Sequence, residues 1–183
     1  MRIMIDAGHG YSTSGKRTPD GMREFEFNQD VSILTRKKLE EKGISVSFSH
    51  SDQEDVPLDA RVSKANRWKA DLFLSIHANA YGDGWNDANG IETFIHSSRP
   101  KQAEAVAKAI QQRLIALTGR KNRGVKTANF YVLRKTLMPA VLIEAGFMTN
   151  LEEAQLLRTA SYRELCAQAI AEAVEKVYKL PVG

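Results

Sequence analysis

The sequence of 183 residues lacks a second cysteine and any long apolar run. The single cysteine, Cys166, has no partner for an intrachain disulfide. It lies among apolar residues of a predicted helix, which indicates a core position rather than a nucleophile. No segment is long and apolar enough to span a bilayer, so we expect no membrane insertion. Asp6 interrupts the first apolar run too early for a signal peptide, so we expect synthesis in the cytoplasm and release by lysis or another route.

A concentrated basic patch is also missing. Lys and Arg number 26 against 22 Asp and Glu, which gives a formal net charge of +4 and an isoelectric point near 9.2. Such a charge favours contact with a polyanion, either nucleic acid or an anionic cell wall. The basic residues are scattered, however, and no helix-turn-helix or zinc-finger spacing occurs, so we expect no nucleic acid partner. The net charge alone does not identify the partner.

The sequence does contain an alternation of strand and helix patterns, and its 43% of hydrophobic residues suffices for one core. Strands are predicted at 2–6, 44–48, 72–76, 91–95 and 140–144, and helices at 27–43, 58–69, 103–117 and 162–178. This order predicts an α/β fold, a single-domain three-layer sandwich with helices on both faces of a mostly parallel twisted sheet. We expect a monomeric domain over residues 1–179, and a tail or the start of a linker at 180–183.

Polar side chains stand at the ends of three predicted strands. His9 and His77 come directly after strands, and Glu144 is the last residue of another. Because ligand sites in open α/β sheets form beyond the carboxyl ends of the strands, we expect these three side chains to converge. Imidazole and carboxylate groups suit zinc, which in catalytic sites takes three protein ligands and keeps one position open for water. The sequence therefore predicts a zinc site.

Two glutamates at the start of the first helix compete to be the third ligand. Residues two apart on a helix do not share a face, so only one of Glu24 and Glu26 can point into the site. Glu24, at the mouth of the helix, is the better placed. Glu144 ends an apolar strand, where burying an unpaired carboxylate is costly, so we expect a metal neighbour or a chemical role there.

Motifs along nearly the whole chain resemble the zinc N-acetylmuramoyl-L-alanine amidases of the amidase-3 type. In chain order they are Asp6–Gly10, Gly21–Glu24, Arg61–Asn66, Leu74–Ala80, Arg123–Lys126, Ala128–Phe130 and Met138–Phe147. The resemblance implies that His9, Glu24 and His77 hold one zinc ion per chain and that Glu144 is the catalytic carboxylate. It also favours Glu24 over Glu26, because the family's ligand glutamate lies three residues after a matching glycine.

The resemblance further implies a hydrolase whose partner is peptidoglycan. It would cut the amide bond between N-acetylmuramic acid and the first L-alanine of the stem peptide. Zinc would acidify a water molecule, and Glu144 would accept the water proton and pass it to the leaving amine. Asn79, Arg123 and Lys126 are candidates for substrate contact, with a solvated loop as the other interpretation of the two cations. Trp85, in a loop, would stack on a sugar or cap a turn.

Two other classes stay open at this point. A zinc carboxypeptidase has a similar two-histidine, one-glutamate site but needs a dedicated cation for a terminal carboxylate, which makes Arg123 the discriminating residue. A non-catalytic cell-wall-binding module would predict loss of a ligand or of the catalytic carboxylate, yet all four positions are filled. The sequence also leaves open a phage endolysin or a bacterial autolysin, and a cell-wall-binding domain beyond residue 183.

Overall fold

A computed structural model describes residues 1–10, 12–13 and 15–179. The predicted tail or linker at 180–183 lies outside these residues. The described residues form six strands and six helices. They are β1 (Arg2–Ala7), α1 (Glu24–Glu40), β2 (Ser45–Phe48), α2 (Leu58–Arg67), β3 (Leu72–Asn79), β4 (Ile91–His96), α3 (Lys101–Thr118), β5 (Asn122–Ala128), α4 (Tyr131–Lys135), β6 (Ala140–Phe147), α5 (Leu151–Leu157) and α6 (Ala160–Tyr178).

The strands form one sheet in the order β2, β1, β3, β6, β4, β5. Every neighbouring pair is parallel except β4 with β6, so the predicted mostly parallel sheet is confirmed. The register of the central strands positions the site: His77 on β3 lies beside Glu144 on β6, and Glu92 on β4 lies opposite Glu144 from the other side. Two predicted site residues are therefore direct neighbours in the sheet.

Side chains alternate between the two faces of the sheet, and each face packs against its own helices. One face joins α1, α3 and α6 in the larger core, to which Ile3, Leu74 and Ile143 contribute. The opposite face packs Met4 and Phe73 against α2 and α4 in a smaller core. The predicted three-layer sandwich is thus confirmed. Buried Cys166 belongs to the larger core, as predicted.

Helix ends follow local capping chemistry. The α6 helix begins after Thr159, whose hydroxyl accepts the N–H of Tyr162, and α1 ends at Glu40, three residues before the predicted Gly43. Gly43 instead takes a left-handed φ of +74° in the following turn, a conformation that favours glycine. None of the helices in the described part of the chain combines the length and the apolar character needed to cross a membrane.

Three elements were not predicted, and each lacks a periodic signal. The β5 segment is polar, contains Gly124 and pairs only with β4 at the edge of the sheet, so it shows no apolar alternation. The α4 and α5 helices have only 5 and 7 residues, too few for a helical period to emerge. Because Arg123 and Lys126 lie on β5, their interpretation as residues of a solvated loop is wrong.

Candidate metal centre and active site

Three side chains from three elements meet beyond the carboxyl ends of β1 and β3. His9 follows β1, Glu24 is the first residue of α1, and His77 lies on β3; their ligand atoms all fall within 4.8 Å of one another. The Glu24 carboxylate lies between the imidazoles, with Oε2 3.1 Å from His9 Nε2 and Oε1 2.9 Å from His77 Nδ1. Glu26 is exposed and accepts the N–H of Arg23 instead. The structure therefore places Glu24, not Glu26, beside the histidines.

The loop that carries His9 is tightly constrained. His9 has a left-handed φ of +64°, a conformation that non-glycine residues adopt at a cost and that occurs often at functional sites. Gly8 packs against the His77 ring so closely that an added Cβ would lie 2.0 Å from its Cε1 atom. Asn28 donates to the Gly8 carbonyl at 3.0 Å and to Glu24 Oε1 at 3.2 Å. Glycine at position 8 is thus required for the two imidazoles to approach one another.

A hydrogen-bonded chain orients His77 from behind. The Ser75 hydroxyl donates to Asp6 Oδ2 at 2.7 Å, and its oxygen lies 3.0 Å from His77 Nε2. Because the hydroxyl proton is used on Asp6, the hydroxyl oxygen accepts from His77, and Nε2 carries the imidazole hydrogen. His77 Nδ1, which then carries no hydrogen, faces the Glu24 carboxylate. An imidazole nitrogen without a hydrogen and a carboxylate oxygen lie this close only when a cation or a second proton lies between them. The donor atoms therefore fit a metal ion.

The chain of hydrogen bonds from His77 through Ser75 ends at a buried ion pair between Asp6 and Arg61. Asp6 is 2% exposed and Arg61 is 3% exposed, and Arg61 Nη1 donates to Asp6 Oδ1 at 2.9 Å. Burial raises the pKa of Asp6, but the Arg61 charge and two serine hydroxyls outweigh it, so the net pKa is lowered. Arg61 also donates to the backbone carbonyls of Ala7, Val56 and His9, which ties α2 to the His9 loop.

Asp6 and Arg61 had no predicted role, although the motifs contained both. Asp6 carries the same signal that singled out Glu144, a charged residue that follows an apolar run on a strand. Ser75 also had a signal, since it shares a strand face with His77, two residues away.

Glu144 lines the same cleft as the three clustered residues, a space of roughly 520 Å³. Its Oε2 atom is buried and has no hydrogen-bond partner among the described residues. Burial raises the pKa of Glu144 well above its usual range, and the negative charges of Glu24 and Glu92 raise it further. Apolar side chains also line the cleft, including Leu58 and Phe130. The arrangement can hold a proton at a carboxyl group next to a cluster that could hold a metal ion.

The three predicted substrate-contact residues converge on one buried carboxylate, Glu92. Asn79 Nδ2 donates to Glu92 Oε1 at 2.8 Å, Arg123 Nε donates to Oε2 at 2.7 Å, and Lys126 Nζ also donates to Oε2. Burial raises the pKa of Glu92, but the hydrogen bonds from Lys126 and Arg123 outweigh it and lower the pKa. Arg123 also lies 4.8 Å from the ring centre of Phe147. Arg123 is therefore already paired, which does not favour a carboxypeptidase.

The other two histidines lie apart from this cluster. His50 is 7% exposed, and its Nδ1 accepts the backbone N–H of Ala7 at 2.9 Å, so its role is structural. Burial lowers the pKa of His50 to about 4. The His96 ring bonds the hydroxyl of Ser98 at the surface. Both agree with the sequence-based interpretation of surface or structural residues.

Fold and site together define a class of protein. An α/β sandwich with two imidazoles and a carboxylate at the carboxyl edge of its sheet, next to a glutamate whose Oε2 has no hydrogen-bond partner among the described residues, is a hydrolase domain with a possible metal centre. The chain belongs to the N-acetylmuramoyl-L-alanine amidase family of the amidase-3 type, whose sequence profile matches residues 3–176. The predicted family is therefore confirmed.

Relatives and solved structures agree with this assignment. The chain is 39% identical over 178 residues to the N-acetylmuramoyl-L-alanine amidase LytC of Bacillus subtilis, covering 97% of this chain but 35% of that protein. It is 35% identical to the endolysin of Bacillus phage SPP1, covering 97% of this chain and 66% of that protein. The catalytic domain of CwlV, an N-acetylmuramoyl-L-alanine amidase from Bacillus (Paenibacillus) polymyxa, superposes with a TM-score of 0.91 at 31% identity, covering 98% and 99% of the two chains.

Proposed function

We propose that this chain is a zinc-dependent amidase that hydrolyses the amide bond between N-acetylmuramic acid and L-alanine in peptidoglycan. The observation that carries the proposal is the His9, Glu24 and His77 cluster beside Glu144, whose buried Oε2 has no hydrogen-bond partner in the described part of the chain. The names of the relatives and structural neighbours supply the reaction. We further propose that residues 1–179 are the catalytic domain, and that it acts as a monomer at the bacterial cell wall.

His9, Glu24 and His77 would hold one zinc ion. Two imidazole nitrogens and one carboxylate oxygen are a donor set found in catalytic zinc sites. The orientation of His77 supports a cation at this position, because Nε2 donates its hydrogen bond to the Ser75 hydroxyl and Nδ1 faces Glu24. Bound zinc supplies Lewis acid chemistry, which lowers the pKa of water and polarises an amide carbonyl.

Glu144 would move the protons of the reaction. Its carboxylate accepts a proton from the attacking water and then gives that proton to the nitrogen of the leaving L-alanine. The raised pKa of Glu144 favours holding the proton between the two steps, and the buried Oε2 atom has no competing hydrogen bond among the described residues. General acid and base catalysis of this kind contributes roughly 10²- to 10⁴-fold to a rate.

Asn79, Arg123 and Lys126 would contact the stem peptide. Arg123 and Lys126 share the single negative charge of Glu92, so the group keeps a net charge of +1, two positive charges and one negative. The Lys126 side chain is 40% exposed and has further N–H groups to offer. We propose that this surplus charge, which the half-exposed Lys126 presents to solvent, attracts a carboxylate of the stem peptide.

The test compares Glu144→Gln with wild type and with Glu26→Gln as a matched control on the exposed side of α1. We expect Glu144→Gln to keep one zinc ion per chain, measured by elemental analysis, while kcat on purified cell walls falls at least about 10²-fold. Glu26→Gln should retain both zinc and turnover. Substantial turnover by zinc-loaded Glu144→Gln would remove the proposed proton-transfer role.

A further inference from the structure

A second groove, open to solvent and outside the catalytic cleft, has a volume of roughly 450 Å³. We define it as the Trp85 groove; it is lined by Trp85, Asn86, Asp87, Asn150, Leu151, Glu152 and Gln155. We propose that this groove binds N-acetylated sugars of the glycan strand that flank the N-acetylmuramic acid whose amide bond is cut. The inference rests on the proposed function, since it extends the substrate beyond the reacting amide.

The groove begins where the two catalytic strands end. The register pairs Asn79, the last residue of β3, with Phe147, the last residue of β6, and the groove walls follow directly after these two ends. Two hydrogen bonds join the segment after β3 to the segment after β6. Tyr81 N donates to Thr149 Oγ1 at 3.0 Å, and Asn86 N donates to the Thr149 carbonyl at 2.8 Å. His77 lies two residues before the end of β3, and Glu144 lies three residues before the end of β6. The groove and the catalytic cleft therefore both lie near the carboxyl ends of β3 and β6.

The loop that presents Trp85 is braced by another side chain. Asn86 Nδ2 donates to the carbonyls of Tyr81 and Gly84 at 2.6 and 2.9 Å, and its Oδ1 accepts the N–H of Ala88 at 3.0 Å. Trp85 itself is 42% exposed. The loop thus presents a large aromatic ring at the surface on a hydrogen-bonded backbone, and ordering the backbone in advance lowers the entropic cost of binding a ligand.

The chemistry of the groove fits an uncharged sugar. An indole offers an apolar surface to the C–H face of a pyranose ring, and the amide of Gln155 can bond hydroxyl and acetamido groups. Glu152 is ion-paired with Arg120, so Asp87 supplies the unneutralised negative charge of the lining, which disfavours the carboxylates of a stem peptide or an anionic polymer. Among the components of peptidoglycan, the glycan is therefore the matching occupant.

The first experiment measures sugar binding without catalysis. A trimer of N-acetylglucosamine is titrated into zinc-loaded protein while the two tryptophan indole N–H signals are followed by NMR. We expect the Trp85 signal to shift and the Trp68 signal to stay in place, and Trp85→Ala should weaken binding about three- to tenfold. Tyr81→Ala is the matched control, because Tyr81 is 71% exposed on the same loop but does not line the groove.

The second experiment separates this inference from the proposed function. On intact glycan strands, Trp85→Ala should raise KM about three- to tenfold with kcat unchanged, whereas a single muramoyl peptide without flanking sugars should show no change. An unshifted Trp85 signal, or equal effects of Trp85→Ala and Tyr81→Ala, would overturn the groove assignment even if the enzyme is an active amidase. A shifted Trp85 signal in a protein without amidase activity would support the groove and refute the proposed function.

Discussion

Acidification should destabilise this fold through one buried imidazole. His50 accepts a hydrogen bond from Ala7 N on β1 and packs against the Phe48 ring at a centroid distance of 4.7 Å. In the folded protein its pKa is about 4, whereas an ordinary histidine titrates at 6.5. Between these two pH values the unfolded chain binds a proton that the folded chain does not. Stability is therefore complete above pH 6.5 and is lost as the pH falls toward 4.

The size of the effect follows from the pKa values of His50 in the folded and unfolded states. Each tenfold difference in proton affinity corresponds to about 1.4 kcal/mol. A pKa of about 4 in the folded protein against 6.5 in the unfolded chain therefore predicts that the free energy of unfolding falls by about 3 kcal/mol as the pH falls to 4. That loss is a large part of the roughly 5–15 kcal/mol by which domains of this size are stable.

Urea unfolding followed by circular dichroism, from pH 7 to pH 4 with a chelator present, measures this loss directly. His50→Asn is the comparison, because its amide oxygen can accept the Ala7 N–H in place of Nδ1 but does not titrate. Other groups titrate equally in both proteins, so the difference between the two stability curves isolates His50. Parallel curves over this pH range would refute the assigned pKa and its cause.

Two further predictions concern the cluster of His9, Glu24 and His77. Glu24→Ala should lower zinc occupancy, measured by elemental analysis after dialysis, far more than Glu26→Ala, because only Glu24 lies between the imidazoles; the reverse ranking would reassign the third ligand. Ser75→Ala should weaken zinc affinity by roughly 10- to 100-fold in a competition titration, since the hydrogen-bond acceptor behind His77 is removed. Unchanged affinity in a folded Ser75→Ala protein would exclude the orienting role.

Much of the fold was predictable because its central strands are short apolar runs. The segments at 72–76 and 140–144 are buried on both faces, and such strands give a strong signal. The β5 strand at the sheet edge gave none, since its exposed positions hold Asn122 and Thr127 and its half-buried positions include Arg123 and Lys126, with no alternation of apolar residues. Edge pairing depends on the neighbouring strand more than on local sequence, so only the structure reveals it.

The candidate site was predictable where strand ends carry the chemistry. His77 and Glu144 were placed together by topology alone, and the structure makes them neighbours in register. The supporting residues were harder to predict, because Arg61 reaches Asp6 across 55 residues of sequence through the packing of α2. The pairing of Arg123 and Lys126 with Glu92 also required the sheet order, since β4 and β5 had to be known as neighbours.

The central claim is the identity of the bond that is cut. Zinc-loaded protein should be incubated with purified Gram-positive cell walls, and the new end groups on the released material should be identified by labelling and mass spectrometry. The account predicts new amino-terminal L-alanine, abolished by a chelator and restored by zinc. A different new amino terminus, or no release from several types of wall, would contradict it.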